Sequence, residues 1–264
     1  MDLRPLGSTG LRVSPLGLGT VKLGRNQGVK YPHPFSLPSD REALTLLDLA
    51  WESGINLLDT APAYGEAEER LGKLLQAARR DWLISTKVGE AFSAGQSRFD
   101  FSAAATRASV ERSLKRLRRE RLDVVLIHSD GDDIRALEQE DCLAALLELK
   151  AAGLIRAIGL SAKTVVGGLH ALAHCDLVMV AYNPLYSDEL PVIRAARAAG
   201  KGVLIKKGLA SGHLDRFGGA DPVATSLRLL LAEPGVSSVV VGTLNPEHLR
   251  ENVRIARRVL GGAG

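Results

Sequence analysis

The chain has 264 residues, 45% of them hydrophobic and 24% charged, enough to bury a sizeable core in one large domain or two small ones. That composition excludes a disordered chain, a collagen and a disulfide scaffold, since Cys142 and Cys175 are the only cysteines. The 34 basic residues exceed the 30 acidic ones by a net +4, and the densest basic cluster (Arg112, Lys115, Arg116, Arg118, Arg119, Arg121) has no interleaved aromatics, which argues against a nucleic-acid partner.

From the N-terminus, Leu3 to Val13 with turns at Gly7 and Gly10 predicts a short β-hairpin. Apolar runs rich in branched residues follow at Leu16–Gly19, Ile55–Leu58, Trp82–Thr86, Leu122–Ile127, Ile155–Leu160, Leu177–Ala181, Gly202–Ile205 and Val236–Val241. Continuous apolar strands separated by helices suit a parallel sheet buried on both faces. The helices carry their own punctuation. Ser39-Asp40-Arg41-Glu42 is a capping box ahead of Ala43, Leu46, Leu47, Ala50 and Trp51, and Gly54 stops that helix. After Gly65, a stripe of Ala67, Leu71, Leu74, Leu75 and Ala78 predicts another. Asn245-Pro246 caps a last helix carrying Leu249, Val253, Ala256 and Leu260 on one face.

Eight strand–helix units of about 33 residues predict an α/β fold, a (β/α)8 TIM barrel with a short N-terminal hairpin, formed as one domain over 1–264. A doubly wound open sheet is the rival. No apolar run reaches the roughly 18 residues of a membrane span, and the opening residues lack the layout of a secretory signal. A cytoplasmic protein with no membrane partner is expected; nothing in the sequence fixes an oligomeric state.

In such a barrel the chemistry sits where strands run into their following helices. Those positions hold Thr20 and Lys22, Asp59 with Tyr64 five residues on, Lys87, His128, Ser161, Asn183, Lys206 with Lys207, and Thr243. Taken singly, Asp59 could be a helix cap, Lys87 a snorkelling side chain, His128 a satisfied core histidine and Tyr64 a cover for the rim. Together they place an acid, a phenol, an ammonium and an imidazole on adjacent strand ends. That set suits acid–base work on a carbonyl or alcohol: a nearby ammonium lowers a phenol's pKa, and a carboxylate keeps the ammonium charged. No metal site is expected, because His128 has no close His or Cys partner in the sequence.

The run Gly54-Ile55-Asn56-Leu57-Leu58-Asp59-Thr60-Ala61-Pro62-Ala63-Tyr64-Gly65-Glu66-Ala67-Glu68 closely resembles the first signature of the aldo-keto reductases. Ser85-Thr86-Lys87 and Leu126-Ile127-His128 resemble that family's next two landmarks, and the likeness runs from Pro5 to Val253. It implies a barrel that reduces an aldehyde or ketone with NADPH, NADH being possible. Tyr64 would be the general acid, Lys87 its pKa partner, Asp59 the lysine's counter-ion and His128 the group orienting the carbonyl. For the cofactor, the resemblance points to Thr20, Lys22, Ser161, Asn183, Lys206, a pyrophosphate-covering loop of Leu209, Ser211 and Gly212, and a phosphate-reading segment of Gly242, Thr243, His248, Glu251 and Asn252.

Several positions depart from the family's pattern. Gly242 and His248 stand where a lysine and an arginine often grip the 2′-phosphate, and Ala162 and Met179 replace an asparagine and a glutamine. Lys206 stands where an aromatic commonly stacks on the nicotinamide. Two loops, one with Tyr31, His33 and Phe35 and one with Phe92, Phe99 and Phe101, are expected to wall the substrate pocket. The segments after the fourth and seventh strands are expected to be short and the pocket open. Two other functions fit the fold: a Schiff-base lyase or aldolase using Lys87, and a nucleotide-sensing barrel with little turnover.

Overall fold

The computed structural model describes residues 1–76 and 80–261. Its strands are β1 (Arg4–Pro5), β2 (Arg12–Val13), β3 (Leu16–Gly19), β4 (Leu57–Asp59), β5 (Leu83–Val88), β6 (Glu90–Ser93), β7 (Gln96–Phe99), β8 (Leu122–His128), β9 (Ile155–Ser161), β10 (Leu177–Ala181), β11 (Gly202–Lys206) and β12 (Ser238–Val241). Its helices are α1 (Val21–Gly24), α2 (Asp40–Glu52), α3 (Ala67–Leu74), α4 (Ala103–Leu117), α5 (Cys142–Ala151), α6 (Val165–Ala171), α7 (Leu190–Ala198), α8 (Pro222–Ala232) and α9 (Pro246–Gly261). Eight of the strands close into a parallel barrel in the order β10-β11-β12-β3-β4-β5-β8-β9. The (β/α)8 barrel and its antiparallel N-terminal hairpin, β1 paired with β2, are both present.

The strands read as unbroken apolar runs because both faces are buried. Leu57, Val124, Leu126, Ala157, Leu177, Met179 and Leu204 point into the barrel, and Leu6, Leu11 and Val13 of the hairpin segment close it from below. The opposite faces join a larger core with the helices, including Leu58, Ile84, Val125, Ile158 and Val239. Gly7 lets the hairpin approach this closely: its φ is 55°, and a Cβ there would collide with the backbone of Lys201 and Gly202.

Local punctuation follows the sequence. The Ser39 hydroxyl accepts from Glu42 N while the Glu42 carboxylate accepts from Ser39 N, completing the capping box of α2. The Asn245 side chain caps α9 through Glu247 N. Leu71 and Leu74 are buried on α3 as expected, while Ala78 lies outside the described residues. Ile55 and Asn56 precede β4 rather than joining it, and the Asn56 amide braces the hairpin through Ser14 N and the Arg12 carbonyl.

Three loop expectations need correction. The segment after β5 is a second hairpin, β6–β7, with Ala94 and Gly95 at positive φ in its turn. Phe101 does not wall a pocket: it is fully buried in the main core under Gly89. The segments after β8 and β11 are not short, since each carries additional helical turns, at Arg135–Gln139 and at Ala210–Gly212 with Leu214–Phe217. Among the described residues no helix is long and apolar enough to cross a membrane.

Candidate active site

The acid–base residues stand on neighbouring strand ends. Asp59 closes β4, Lys87 is the next-to-last residue of β5 and His128 closes β8. Tyr64 ends a 3-10 turn, Pro62–Tyr64, whose exit depends on Gly65. That glycine has a φ of 62°, and any Cβ on it would strike the Gly24 carbonyl. The phenol is thereby held between α1 and the barrel mouth.

The Lys87 ammonium donates to both Asp59 oxygens, at 2.8 and 2.9 Å, and to the Thr60 carbonyl at 2.8 Å. It also lies 4.7 Å from the centroid of the Tyr64 ring. The pair is dry, the two side chains being 2% and 5% exposed. Burial by itself would lower the Lys87 pKa, but the Asp59 carboxylate overrides it and the net shift is upward. Lys87 is therefore a fixed ammonium. For Tyr64 burial raises the phenol's pKa, Lys87 opposes it and Asp59 adds to it, leaving a net rise.

His128 faces Tyr64 edge-to-face, with ring centroids 6.3 Å apart. Its Nδ1 is 2.8 Å from a Glu90 carboxylate oxygen. Burial pulls the imidazole pKa down, Glu90 pulls it up, and Lys87 and Lys206 pull it down again; the net shift is downward. Burial of Glu90 is outweighed by His128, Ser97 and Arg25, which hold its carboxyl below the usual range. Arg25 in turn donates to the Ala63 carbonyl and stacks 3.4 Å from the Phe92 ring centroid, so it ties the tyrosine turn to the β6–β7 hairpin. Sequence reasoning missed Glu90 and Arg25. The signal for Glu90 was a hairpin, but its Ala94-Gly95 turn lacks the usual Asn-Gly or Asp-Gly mark.

Across the mouth the polar groups are differently arranged. Lys206 closes β11 and donates to Ser161 Oγ at 2.9 Å and to the Ala162 carbonyl at 2.5 Å. Burial pushes its ammonium down to about 7, against the pull of Glu189. Glu189, also missed, is buried and accepts from Ala181 N and the Tyr186 hydroxyl. The Asn183 amide is committed to backbone: it donates to the Lys207 carbonyl and accepts from Leu185 N. The Thr20 hydroxyl likewise donates to the Asp59 carbonyl.

The long connection after α1 reaches over this side. Lys22 lies under the Tyr31 ring at 4.1 Å and the Phe35 ring at 5.1 Å. The Tyr31 hydroxyl stands beside Gly242, Pro32 beside Gly212, and the Lys30 carbonyl 3.2 Å from His213 Nε2. Leu209 and Ser211 belong to the same rim, Ser211 with a left-handed φ of 56°. At the start of α9, the Thr243 hydroxyl accepts from Asn245 N and His248 is exposed. Glu251 pairs with Arg254 on the next turn while Asn252 is buried. The structure brings Asp59, Tyr64, Lys87 and His128 into one cluster; Glu251, Asn252 and His248 lie apart from it on α9.

The profile of the Aldo/keto reductase family matches residues 15–221. The chain belongs to the aldo-keto reductases. PA4992 from Pseudomonas aeruginosa, itself assigned to this family, is 54% identical with a TM-score of 0.89, over 98% of this chain and 95% of its own. The aldo-keto reductase AKR11C1 from Bacillus halodurans, solved in its holo form, is 25% identical with a TM-score of 0.81, over 99% and 96%. L-galactose dehydrogenase from Arabidopsis thaliana is 29% identical over 96% of this chain and 87% of its own length. Aldo-keto reductases are oxidoreductases of small carbonyl compounds that use nicotinamide cofactors. These likenesses give no support to a lyase or to a sensor.

Proposed function

We propose that this aldo-keto reductase reduces an aldehyde or ketone to an alcohol with NADPH, Tyr64 acting as the general acid. The observation that carries the reading is the dry Asp59–Lys87 pair set against the Tyr64 ring. A phenol in apolar surroundings gives up its proton reluctantly; an ammonium that cannot leave stabilises the phenolate that results. A nicotinamide cofactor, when bound, would supply the hydride for the carbonyl carbon. The protein's part is to hold the carbonyl oxygen at Tyr64 and to deliver the phenolic proton to it.

His128 completes the set through its tautomer. A proton on Nδ1 is held by Glu90, so Nε2 is the nitrogen left for substrate. Protonated, the ring donates to a carbonyl oxygen; neutral, it accepts from an alcohol. The Glu90–His128 pair therefore lets pH tilt the balance between reduction and the reverse oxidation.

The rim fits an anionic nucleotide. Lys22, Lys30, Lys163, Lys206 and Lys207 gather on the mouth side, and among the described residues none of their ammonium groups lies within 4.0 Å of a carboxylate. The start of α9 adds the positive end of a helix dipole, and Gly242, Thr243 and His248 are the proposed phosphate contacts there. Ser161, bonded to Lys206, and Asn183, bonded to Lys207, are the proposed nicotinamide contacts, and Leu209, Ser211 and Gly212, the last of them beside Pro32, are the proposed pyrophosphate cover. Glu251 and Asn252 are the proposed adenine contacts. NADPH is favoured over NADH, by less than an arginine at position 248 would give. The likeness to L-galactose dehydrogenase supports a small sugar-like compound as the substrate class.

Lys87 does not suit Schiff-base chemistry, which needs a neutral amine of lowered pKa, whereas this ammonium is raised and bound on three sides by oxygen acceptors. Calorimetric titration with NADPH and NADH, followed by turnover of an aldehyde panel, tests the reading. Micromolar or tighter NADPH binding with weaker NADH binding is expected. Equal affinities would remove the phosphate role from Gly242–His248, and no binding of either would overturn the function.

A further inference from the structure

Outside the acid–base cluster, the side chains of Glu138, His170 and His174 converge. His170 lies near the end of α6, and His174 follows one turn later because the chain continues in helical turns, with Ala173 N donating to His170 O and Cys175 N to Ala171 O. Imidazoles four residues apart along a helix face the same way, and here the ring centroids are 5.4 Å apart. Glu138 comes from a different element, the helical turn Arg135–Gln139 that follows β8. The potential donor atoms of the three residues all lie within 4.8 Å of one another. His170 Nε2 is out of solvent and 2.5 Å from Glu138 Oε1.

We propose that these three residues form a binding site for a divalent transition metal ion of the zinc class. The 2.5 Å approach does not satisfy His170 Nε2, which lacks a well-directed hydrogen bond, and a lone histidine–glutamate pair would not call for a second imidazole at the same point. Two neutral nitrogens and one carboxylate form a borderline donor set, suited to Zn(II) and its neighbours; Ca(II) and Mg(II) require more oxygens and Cu(I) prefers sulfur. Three protein donors leave a fourth tetrahedral position for water. Zinc–ligand bonds of about 2.1 Å separate tetrahedral donor atoms by roughly 3.4 Å, a spacing these side chains reach by opening the Glu138–His170 contact slightly.

The backbone is already braced for such a site. Asp133, five residues before Glu138, accepts from Lys163 N, Thr164 N and the Thr164 hydroxyl at the start of α6. Gly167 leaves room for it, since a Cβ there would collide with the Asp133 side chain. Arg135 pairs with Asp130 and Glu140, which fixes the turn that carries Glu138. The two segments are thus fastened at the head of α6, and a metal would fasten them a second time at its tail. The sequence carries half of the signal in the His170-Ala171-Leu172-Ala173-His174 spacing, which a search centred on His128 passes over; the carboxylate comes only from the fold.

The site shares no residue with the nicotinamide reading and is tested without turnover. Chelator-treated full-length protein is titrated calorimetrically with zinc chloride, and cobalt(II) is added separately to record its visible absorption. One equivalent is expected to bind with a Kd on the order of 10 μM, with cobalt bands of four- or five-coordinate intensity and a thermal midpoint raised by a few degrees. His174→Ala and Glu138→Ala, both at exposed positions, are expected to keep the wild-type fold by circular dichroism and to weaken zinc at least tenfold. Absence of a saturable equivalent in the wild type, or undiminished binding by both variants, overturns the proposal.

Discussion

The two halves of the barrel mouth are built on different physical plans. Around β4, β5 and β8 the charged groups are fixed by short contacts within the protein: Asp59 on Lys87, Glu90 beside His128, Arg25 on the Ala63 carbonyl. Around β10 and β11 the lysine ammonium groups accumulate without carboxylate contacts, and a long connection rather than a strand lies over them. On the proposed reading the first half is preorganised for proton transfer, where misplacing a donor costs rate, and the second is open to a ligand that brings its own negative charge. A catalyst needs its acid in place beforehand; a cofactor cleft must admit and release its guest.

Breaking the preorganised half should have the largest effect. Lys87→Met strands Asp59 as a buried unpaired charge, which costs about 3–5 kcal/mol of stability and removes the cation from beside Tyr64. Denaturant unfolding should show that loss, and carbonyl reduction should fall by at least about 10²-fold. The double variant Asp59→Asn/Lys87→Met should recover most of the stability and none of the activity. Recovery of both would show that the ion pair serves packing alone.

A smaller effect is expected at the second contact of that half. Glu90 raises the pKa of His128 against burial, so Glu90→Gln should move the alkaline limb of the reduction profile to lower pH. Reduction at pH 6–7 should fall about tenfold, and alcohol oxidation should fall less. Glu90 also links stability to pH: its carboxyl is held below the ordinary value in the folded state. Its contribution is complete above the unfolded value of about 4.3 and is lost as pH falls through the folded one. The wild type should lose stability across that acid window more steeply than Glu90→Gln.

The other half can be sharpened rather than broken. Burial pushes the Lys206 ammonium down to about 7, and in the proposed complex a cation beside the nicotinamide would disfavour its positively charged oxidised form. The affinity for NADP⁺ relative to NADPH should therefore rise several-fold from pH 6 to pH 8.5, the direction in which the ammonium is lost. Fluorescence titrations of Lys206→Met should show no such trend. The smallest expected change is at the rim: His248→Arg should tighten NADPH a few-fold while leaving NADH unchanged. Equal gains for both nucleotides would place the 2′-phosphate elsewhere.

The same contrast decides what was legible beforehand. The barrel strands announce themselves because burial on both faces demands unbroken apolar runs such as Leu177–Ala181, and Asp59, Lys87 and His128 stand out as titratable residues at or next to their ends. Glu90 was hidden because it follows Gly89 into a hairpin whose turn carries an alanine at positive φ. Phe101 misled because an aromatic after an active-site strand looks like a pocket wall, while the space under Gly89 makes it core. Asp133 and Glu189 were invisible because their partners, the head of α6 and the end of β10, lie 30 and 8 residues away and meet them only in the closed barrel.

The most direct test of the central claim is a single-turnover experiment on protein preloaded with NADPH and mixed rapidly with an aldehyde, comparing the wild type with Tyr64→Phe. The wild type should oxidise one equivalent of the cofactor. Tyr64→Phe should bind NADPH within about twofold of the wild type yet oxidise it about 10²–10⁴ times more slowly. Cofactor oxidation by Tyr64→Phe within a few-fold of the wild-type rate would contradict the role of the phenol.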